Sequence, residues 1–224
     1  MEHCKDAETA LVYLPCFMED LAEPFAMEGI GYTVFYEDGK SPSSSRFVKL
    51  KPGCRCVVEY AVYFDFDIQH LYDLEHVWVY AGEDGAVMDV ESSFHGMFFK
   101  SMVGNALEMN GNTHPVLYFQ PGKHALFPDP AWFDIYIGKN QVCLQEAGKD
   151  GFLVAPMFEG RLFTSKERDR MVRSYILQNY AFVPTFQYRP ARDGKKLLMP
   201  YEALDELIVK RMQEWVKKIE EEML

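Results

Sequence analysis

The sequence lacks the segments that carry a chain into a membrane or out of the cell. No run approaches the roughly 18 apolar residues that a membrane-spanning helix needs, and no basic region followed by an apolar run opens the chain. The five cysteines have neither disulfide-framework nor zinc-knuckle spacing, so we expect reduced thiols. These absences predict a cytoplasmic protein without stable membrane attachment.

Positive charge is also scarce. The chain has 23 Lys and Arg against 34 Asp and Glu, a net charge of −11. Nucleic-acid binders need clustered Lys and Arg, so we expect no nucleic-acid partner. There is no glycine-rich nucleotide loop, and the serines of residues 41–45 lack the Gly-x-Ser-x-Gly elbow of a serine nucleophile.

What the chain does have is material for a core. Hydrophobic residues make up 48% and aromatic residues 15% of its 224 positions, and no linker-like segment divides it, which predicts a single domain over 1–224. Runs such as Val57-Val58-Glu59-Tyr60-Ala61-Val62-Tyr63-Phe64 are rich in β-branched and aromatic residues. Residues 10–160 therefore predict a β-sandwich.

The hydrophobic period changes near Thr164. Thr164-x-x-Glu167 has capping-box form, and Pro200 is tolerated in the first turn of a second helix. The second helix carries one apolar stripe: Leu204, Leu207, Ile208, Met212, Trp215 and Ile219. The stripe predicts a helical segment over 164–224 that packs on the sandwich, with a homodimer or other partner as the alternative. The expected class is mainly β with C-terminal α-helices, α+β overall.

The most informative stretch covers residues 65–80. Val77-Trp78-Val79-Tyr80 is a strand by composition, and alternate residues of a strand share a face. Asp73 and Glu75 therefore point toward the core, which is costly unless a cation or hydrogen-bond donors meet them.

Further ligands lie close by in the chain. Asp65 and Asp67 precede the strand in an acidic loop, and His70 can fold over the strand end. We therefore expect a divalent cation at one end of the sheet, held by Asp65, Asp67, His70, Asp73 and Glu75. Ordinary salt bridges from the acids to Lys or Arg are the alternative.

Two later histidines stand beside turns. His95 precedes Gly96, and His124 follows Gln120-Pro121-Gly122-Lys123, which has the form of a type II turn. His95 and His124 are therefore the candidate catalytic residues, although turn histidines are as often bonded to backbone. His76 lies on the strand face opposite Glu75, where a packing or supporting role is expected.

The run His70-Leu71-Tyr72-Asp73-Leu74-Glu75-His76 resembles two related groups. One is the vacuolar protein sorting-associated protein sixty-two group of fungi, and the other is the necrosis- and ethylene-inducing peptide-like proteins. Both carry His-x-x-Asp-x-Glu-His before an apolar strand. The resemblance implies a β-sandwich and a divalent-cation cavity lined by His70, Asp73 and Glu75, with Asp65 or Asp67 upstream.

The resemblance has departures. The toxins of the second group begin their run with Gly-His-Arg-His-Asp-Trp-Glu, and here Gln69, Leu71, Tyr72 and Leu74 stand in place of the Gly, the Arg, the second His and the Trp. The C-terminal helices have no counterpart in either group.

Three functions compete on these observations. The first is a cation-binding β-sandwich in which the ion serves recognition or stability, with a small-molecule or glycan ligand. Hard oxygen ligands with one imidazole favour Mg²⁺ or Ca²⁺, and Mn²⁺ or Zn²⁺ are the alternatives. The second is a metal-dependent hydrolase with His95 or His124 as base. The third is an interaction module that acts through the last helix.

Overall fold

The computed structural model describes residues 2–94, 97–101, 107–133 and 142–223. Its helices, numbered in chain order, are α1 Glu2–Val12, α2 Lys166–Tyr180, α3 Gly194–Leu197 and α4 Tyr201–Met223. A short 3₁₀ helix spans Pro156–Phe158. No helix among these residues is long and apolar enough to cross a membrane.

The strands form two main sheets and one small hairpin. In chain order they are β1 Cys16–Asp20, β2 Met27–Phe35, β3 Gly39–Lys40, β4 Phe47–Val48, β5 Cys54–Phe66, β6 Leu71–Gly82, β7 Val87–Phe94, β8 Met97–Lys100, β9 Met109–Asn110, β10 His114–Phe119, β11 Leu126–Phe127, β12 Tyr188–Pro190 and β13 Leu198–Pro200. The larger sheet has the order β13-β2-β5-β6-β7-β8, and the smaller has the order β11-β10-β1-β12 with β9 beside β10. β3 and β4 pair with each other.

The centre of the larger sheet is the antiparallel pair β5–β6. Phe64 lies opposite Asp73 and Val62 lies opposite Glu75. Because side chains alternate across a strand, these four residues share the face that packs against the smaller sheet. The Phe64 ring meets Phe119 of β10 edge-on, with centroids 5.1 Å apart. The predicted site therefore begins at one end of the core between the two sheets.

The other face of the larger sheet is covered in part by α4. Its buried residues are Tyr201, Leu204, Ile208, Met212, Val216 and Ile219, and its Arg211 pairs with Asp65 of β5, which lies on this face. The apolar stripe thus packs within the chain, and it would have to leave this position to serve the homodimer or partner considered from the sequence.

The sequence-based class is confirmed: the fold is α+β with a strong β component and C-terminal helices. Details differ at the ends of elements. The cap of α2 is Ser165, whose hydroxyl accepts from the Arg168 amide, and not Thr164. The helix α1 was not predicted, because of its eleven residues only Ala10 is described as buried and no apolar stripe marks it.

We expect Gly31→Val to separate α4 from β2. A Cβ atom at Gly31 would lie 2.8 Å from Leu204 Cδ2 and 3.1 Å from the Tyr201 Cα. Such overpacking costs about 1–3 kcal/mol of unfolding free energy, which urea denaturation measures. The double variant Gly31→Val/Leu204→Ala should show a favourable coupling between the two changes; strictly additive losses would contradict the close approach.

Candidate functional site

The site lies where β6 begins. Asp73 and Glu75 are 9% and 6% exposed, so both carboxyl groups are removed from bulk water. Tyr72, just before Asp73, has a φ of +59°, a conformation uncommon for a residue with a side chain. Glu75 accepts a hydrogen bond from the Ser93 hydroxyl of β7.

A tight turn brings the next two predicted ligands to the same place. The Asp67 amide donates to the His70 carbonyl at 2.9 Å, and the Asp67 carboxylate accepts from the Gln69 amide at 2.6 Å. His70 Nε2 consequently lies 3.8 Å from Asp67 Oδ2. The turn is closed from outside by Gly151, whose carbonyl accepts from the Leu71 amide.

Residues 121–124 deliver two cationic groups to these acids. Gly122 and His124 have φ values of +68° and +53°, so the chain reverses sharply. Lys123 Nζ lies 2.5 Å from Asp67 Oδ2, and His124 Nδ1 lies 2.9 Å from Asp73 Oδ2. The turn therefore neutralises one carboxylate that precedes β6, that of Asp67, and one within β6, that of Asp73.

His124 is held on all sides. Its ring is fully buried and stacks on Phe64, with centroids 3.7 Å apart and planes parallel within 1°. Its second nitrogen, Nε2, lies 3.5 Å from Glu23 Oε1, and Glu23 is itself fixed by the Gly122 amide at 2.8 Å. Both ring nitrogens thus face carboxylates.

These groups surround a cavity of about 340 Å³. Its lining residues are Ser44, Ser45, Asp67, His70, Asp73, Leu74, Glu75, His76, Ser93, Phe98 and Lys123. Four of the five predicted cation ligands therefore share one cavity. Among the described residues, no group of three His, Cys, Asp or Glu side chains is placed to hold one metal ion as it stands.

The protonation states follow from burial and from the pairing. Burial alone would raise the pKa of Asp73, but the hydrogen bond and charge of His124 hold it below the ordinary value. Burial would lower the pKa of His124, but its hydrogen bond with Asp73 and the charges of Glu23 and Asp73 raise it to about 10. Glu75 has no such partner, and burial together with the Asp73 charge raises its pKa to about 8.

Asp65 does not join the cavity. It forms a two-point ion pair with Arg211 of α4, with Arg211 Nε 2.7 Å from Asp65 Oδ1, and it accepts from the Tyr63 hydroxyl at 2.8 Å. The reason is that β5 continues through Phe66, so that Asp65 takes the face opposite Phe64. Asp65 therefore lies apart from the other four predicted ligands, and its role as a cation ligand stays a prediction.

The geometry does not favour His124 as a catalytic base, a role that stays a prediction. A base must hold a free lone pair near the proton that it removes. With a pKa of about 10, His124 is protonated at neutral pH, and it does not line the cavity. The second candidate, His95, lies outside the described residues.

His76 takes the face that the alternation predicts. Its Nε2 lies 3.0 Å from the Ser43 hydroxyl, and its ring stacks on Trp78. The buried carboxylate of Glu59 accepts from Ser43 and from the Trp78 indole. This network fixes the serine loop to the sheet beside the cavity, which is the supporting role expected for His76.

Sequence reasoning missed Lys123 and Glu23 as parts of the site. Lys123 directly precedes His124 in the Pro-Gly turn, and this position is the sequence feature that could have identified it as part of the site. Glu23 lies 101 positions before His124 and had no signal, because its contact exists only through the fold.

We expect the cation-free protein to lose stability as pH rises. Folded Glu75 titrates near pH 8 against an ordinary 4.5, and folded His124 near 10 against 6.5. The folded state therefore binds extra protons between these values, so the free energy of unfolding falls across both windows.

Glu75→Gln should flatten the part of this decline between pH 5 and pH 8, by more than about 1 kcal/mol, in urea unfolding with a chelator present. An unchanged slope in that variant would show that Glu75 is ionised in the folded chain.

No protein-family model matches the chain, and no curated protein matches it. Part of it is similar to solved structures of NLPPya, a necrosis- and ethylene-inducing peptide-like protein, one in complex with glucosamine at 17% identity and one of an NLPPya mutant at 18%. Each match has a TM-score of 0.36 and covers 54% of this chain and 66% of the other, just under two thirds of that protein's length. A similarity of this size carries no argument about the site, whose description rests on the geometry above.

Proposed function

We propose that the cavity at the start of β6 binds a divalent cation. The supporting observation is a deficit of positive charge. The cluster contains four carboxyl groups and two cationic groups: Glu23, Asp67, Asp73, Glu75, Lys123 and His124. With these six groups ionised and His70 left out of the count, the cluster lacks two positive charges, the charge of one divalent cation.

Glu75 carries most of this argument. Among the described residues no Lys, Arg or His nitrogen forms an ion pair with it, and Ser93 is its hydrogen-bond donor. Without a cation it keeps a proton at neutral pH, since burial and Asp73 raise its pKa to about 8. A divalent ion beside Glu75 and Asp73 would replace that proton.

The donor set suits hard cations. Asp67, Asp73 and Glu75 would supply oxygen atoms and His70 one imidazole nitrogen. Oxygen-rich sites of this kind favour Mg²⁺ or Ca²⁺, with Mn²⁺ or Zn²⁺ as alternatives. Because these side chains are not yet gathered around one point, binding requires Asp67 and Glu75 to move toward Asp73.

Binding is favoured over hydrolysis. A hydrolase needs a base with a free lone pair beside a metal-bound water, and His124 is protonated and enclosed. The cavity of about 340 Å³ is at the lower end of the range for ligand pockets. It has room for a small polar molecule next to the ion, which fits the small-molecule or glycan ligand expected from the sequence.

The test compares Glu75→Gln with a matched control, Asp65→Asn. Both variants replace one buried carboxyl group by an amide, but only Glu75 lines the cavity. Mg²⁺, Ca²⁺ or Mn²⁺ added to chelator-treated wild-type protein should raise the melting temperature and give a saturable heat of binding. At 100 times the dissociation constant, the gain is about 2.7 kcal/mol.

We expect Glu75→Gln to abolish this cation-dependent gain while Asp65→Asn keeps it on a lower baseline. Equal cation-dependent gains in melting temperature in the two variants would show that Glu75 is not a ligand. No gain in wild-type protein would reject the proposed function.

A further inference from the structure

Lys123 is more deeply buried than lysine residues usually are. The residue is 8% exposed, and its ammonium group lies 2.5 Å from Asp67. Burial would lower its pKa, but Asp67 raises it above the ordinary value, so the group stays charged. Of the two cationic groups in the cluster, Lys123 is the one that lines the cavity.

We propose that Lys123 is a tethered counter-ion that competes with the divalent cation for Asp67, and so sets the affinity and the charge selectivity of the site. The inference rests on the cation site proposed above and concerns the chain's own residue rather than the ion.

The competition follows from the geometry. Asp67 Oδ1 is already engaged by the Gln69 amide at 2.6 Å, and Oδ2 is engaged by Lys123. A cation that binds Asp67 therefore lies close to the Lys123 ammonium, and the two positive charges repel each other. The ammonium is a compact charge on a flexible stem, and 10% of its side chain already reaches solvent. It can therefore withdraw from Asp67 toward water.

Charge selectivity follows from the same exchange. A divalent ion that replaces the ammonium adds one net positive charge to a cluster that lacks two. A monovalent ion that replaces it adds none, so Na⁺ and K⁺ gain nothing from displacing Lys123. The lysine thereby excludes the abundant monovalent ions while a divalent ion still has an electrostatic advantage.

The first experiment is calorimetric titration of the full chain, after chelator treatment, with MgCl₂, CaCl₂ and MnCl₂. The variants are Lys123→Gln, Lys123→Arg and the control Lys51→Gln, which removes a lysine paired with Asp89 and Glu91 away from the cavity. We expect Lys123→Gln to bind the divalent ion about tenfold more tightly, since a like charge has been removed from its vicinity. Lys123→Arg and Lys51→Gln should stay near the wild-type affinity, and KCl should weaken binding to Lys123→Gln far more than to wild type.

The outcomes separate this inference from the proposed function. Equal or weaker binding by Lys123→Gln than by a wild-type protein that does bind overturns the role of Lys123 and leaves the cation site intact. Binding by Lys123→Gln alone supports the role of Lys123 and rejects cation binding by the natural chain. Absence of binding in both rejects both.

Removal of the Lys123 ammonium leaves the buried carboxylate of Asp67 unpaired and can prevent folding. A second measurement therefore uses the wild-type chain. Reductive methylation of the wild-type chain, followed by mass spectrometry, reports the access of each lysine. A divalent cation should speed modification of Lys123 and leave Lys51 unchanged. A constant or slower rate at Lys123 under saturating cation would contradict its displacement.

Discussion

The hydrogen bond between His124 and Asp73 is the interaction on which the site depends. At 2.9 Å between buried partners, it is a charge-assisted bond in surroundings that screen charge poorly. It fixes the turn of residues 121–124 to the start of β6, and the same turn places Lys123 on Asp67. Without it, Asp73 would be a buried carboxylate with only the Leu74 amide as donor among the described residues, and nothing would compensate the left-handed φ at His124.

The rest of the fold supports this bond from both faces of the larger sheet. On the inner face, Phe64 stacks on the His124 ring, and Phe119 packs edge-on against Phe64. On the outer face, the next residue of the same strand, Asp65, is held by Arg211 of α4. The adjacent residues Phe64 and Asp65 of β5 thus point to opposite faces of the sheet, one toward His124 and the other toward Arg211. The C-terminal helix stabilises β5, the strand paired with β6, without contributing a group to the cavity.

How much of this was available from the sequence depended on the range of each contact. Alternation along one strand placed Asp73 and Glu75 together on the buried face, and the short loop placed His70 and Asp67 beside them; these are local effects. Asp65 was grouped with the loop because an acid at a strand end cannot be told from a loop residue until the strand's length is known. The pairings of Asp73 with His124 and of Asp67 with Lys123 join segments more than fifty positions apart. No local pattern encodes such pairings, although the rigid turn did single out His124.

The cost of the cluster argues that it serves a purpose other than stability. Apolar residues that replace a buried ion pair are often neutral or stabilising, so a core selected only for stability would not gather four carboxyl groups at one point. Tyr72 and His124 add two strained backbone positions within the same site, and such strain concentrates at binding and catalytic sites. Glu75 is the member of the cluster with a hydrogen-bond donor but no opposite charge among the described residues. A protonated Glu75 needs no opposite charge, so this is the position at which the proposed cation would exchange with a proton.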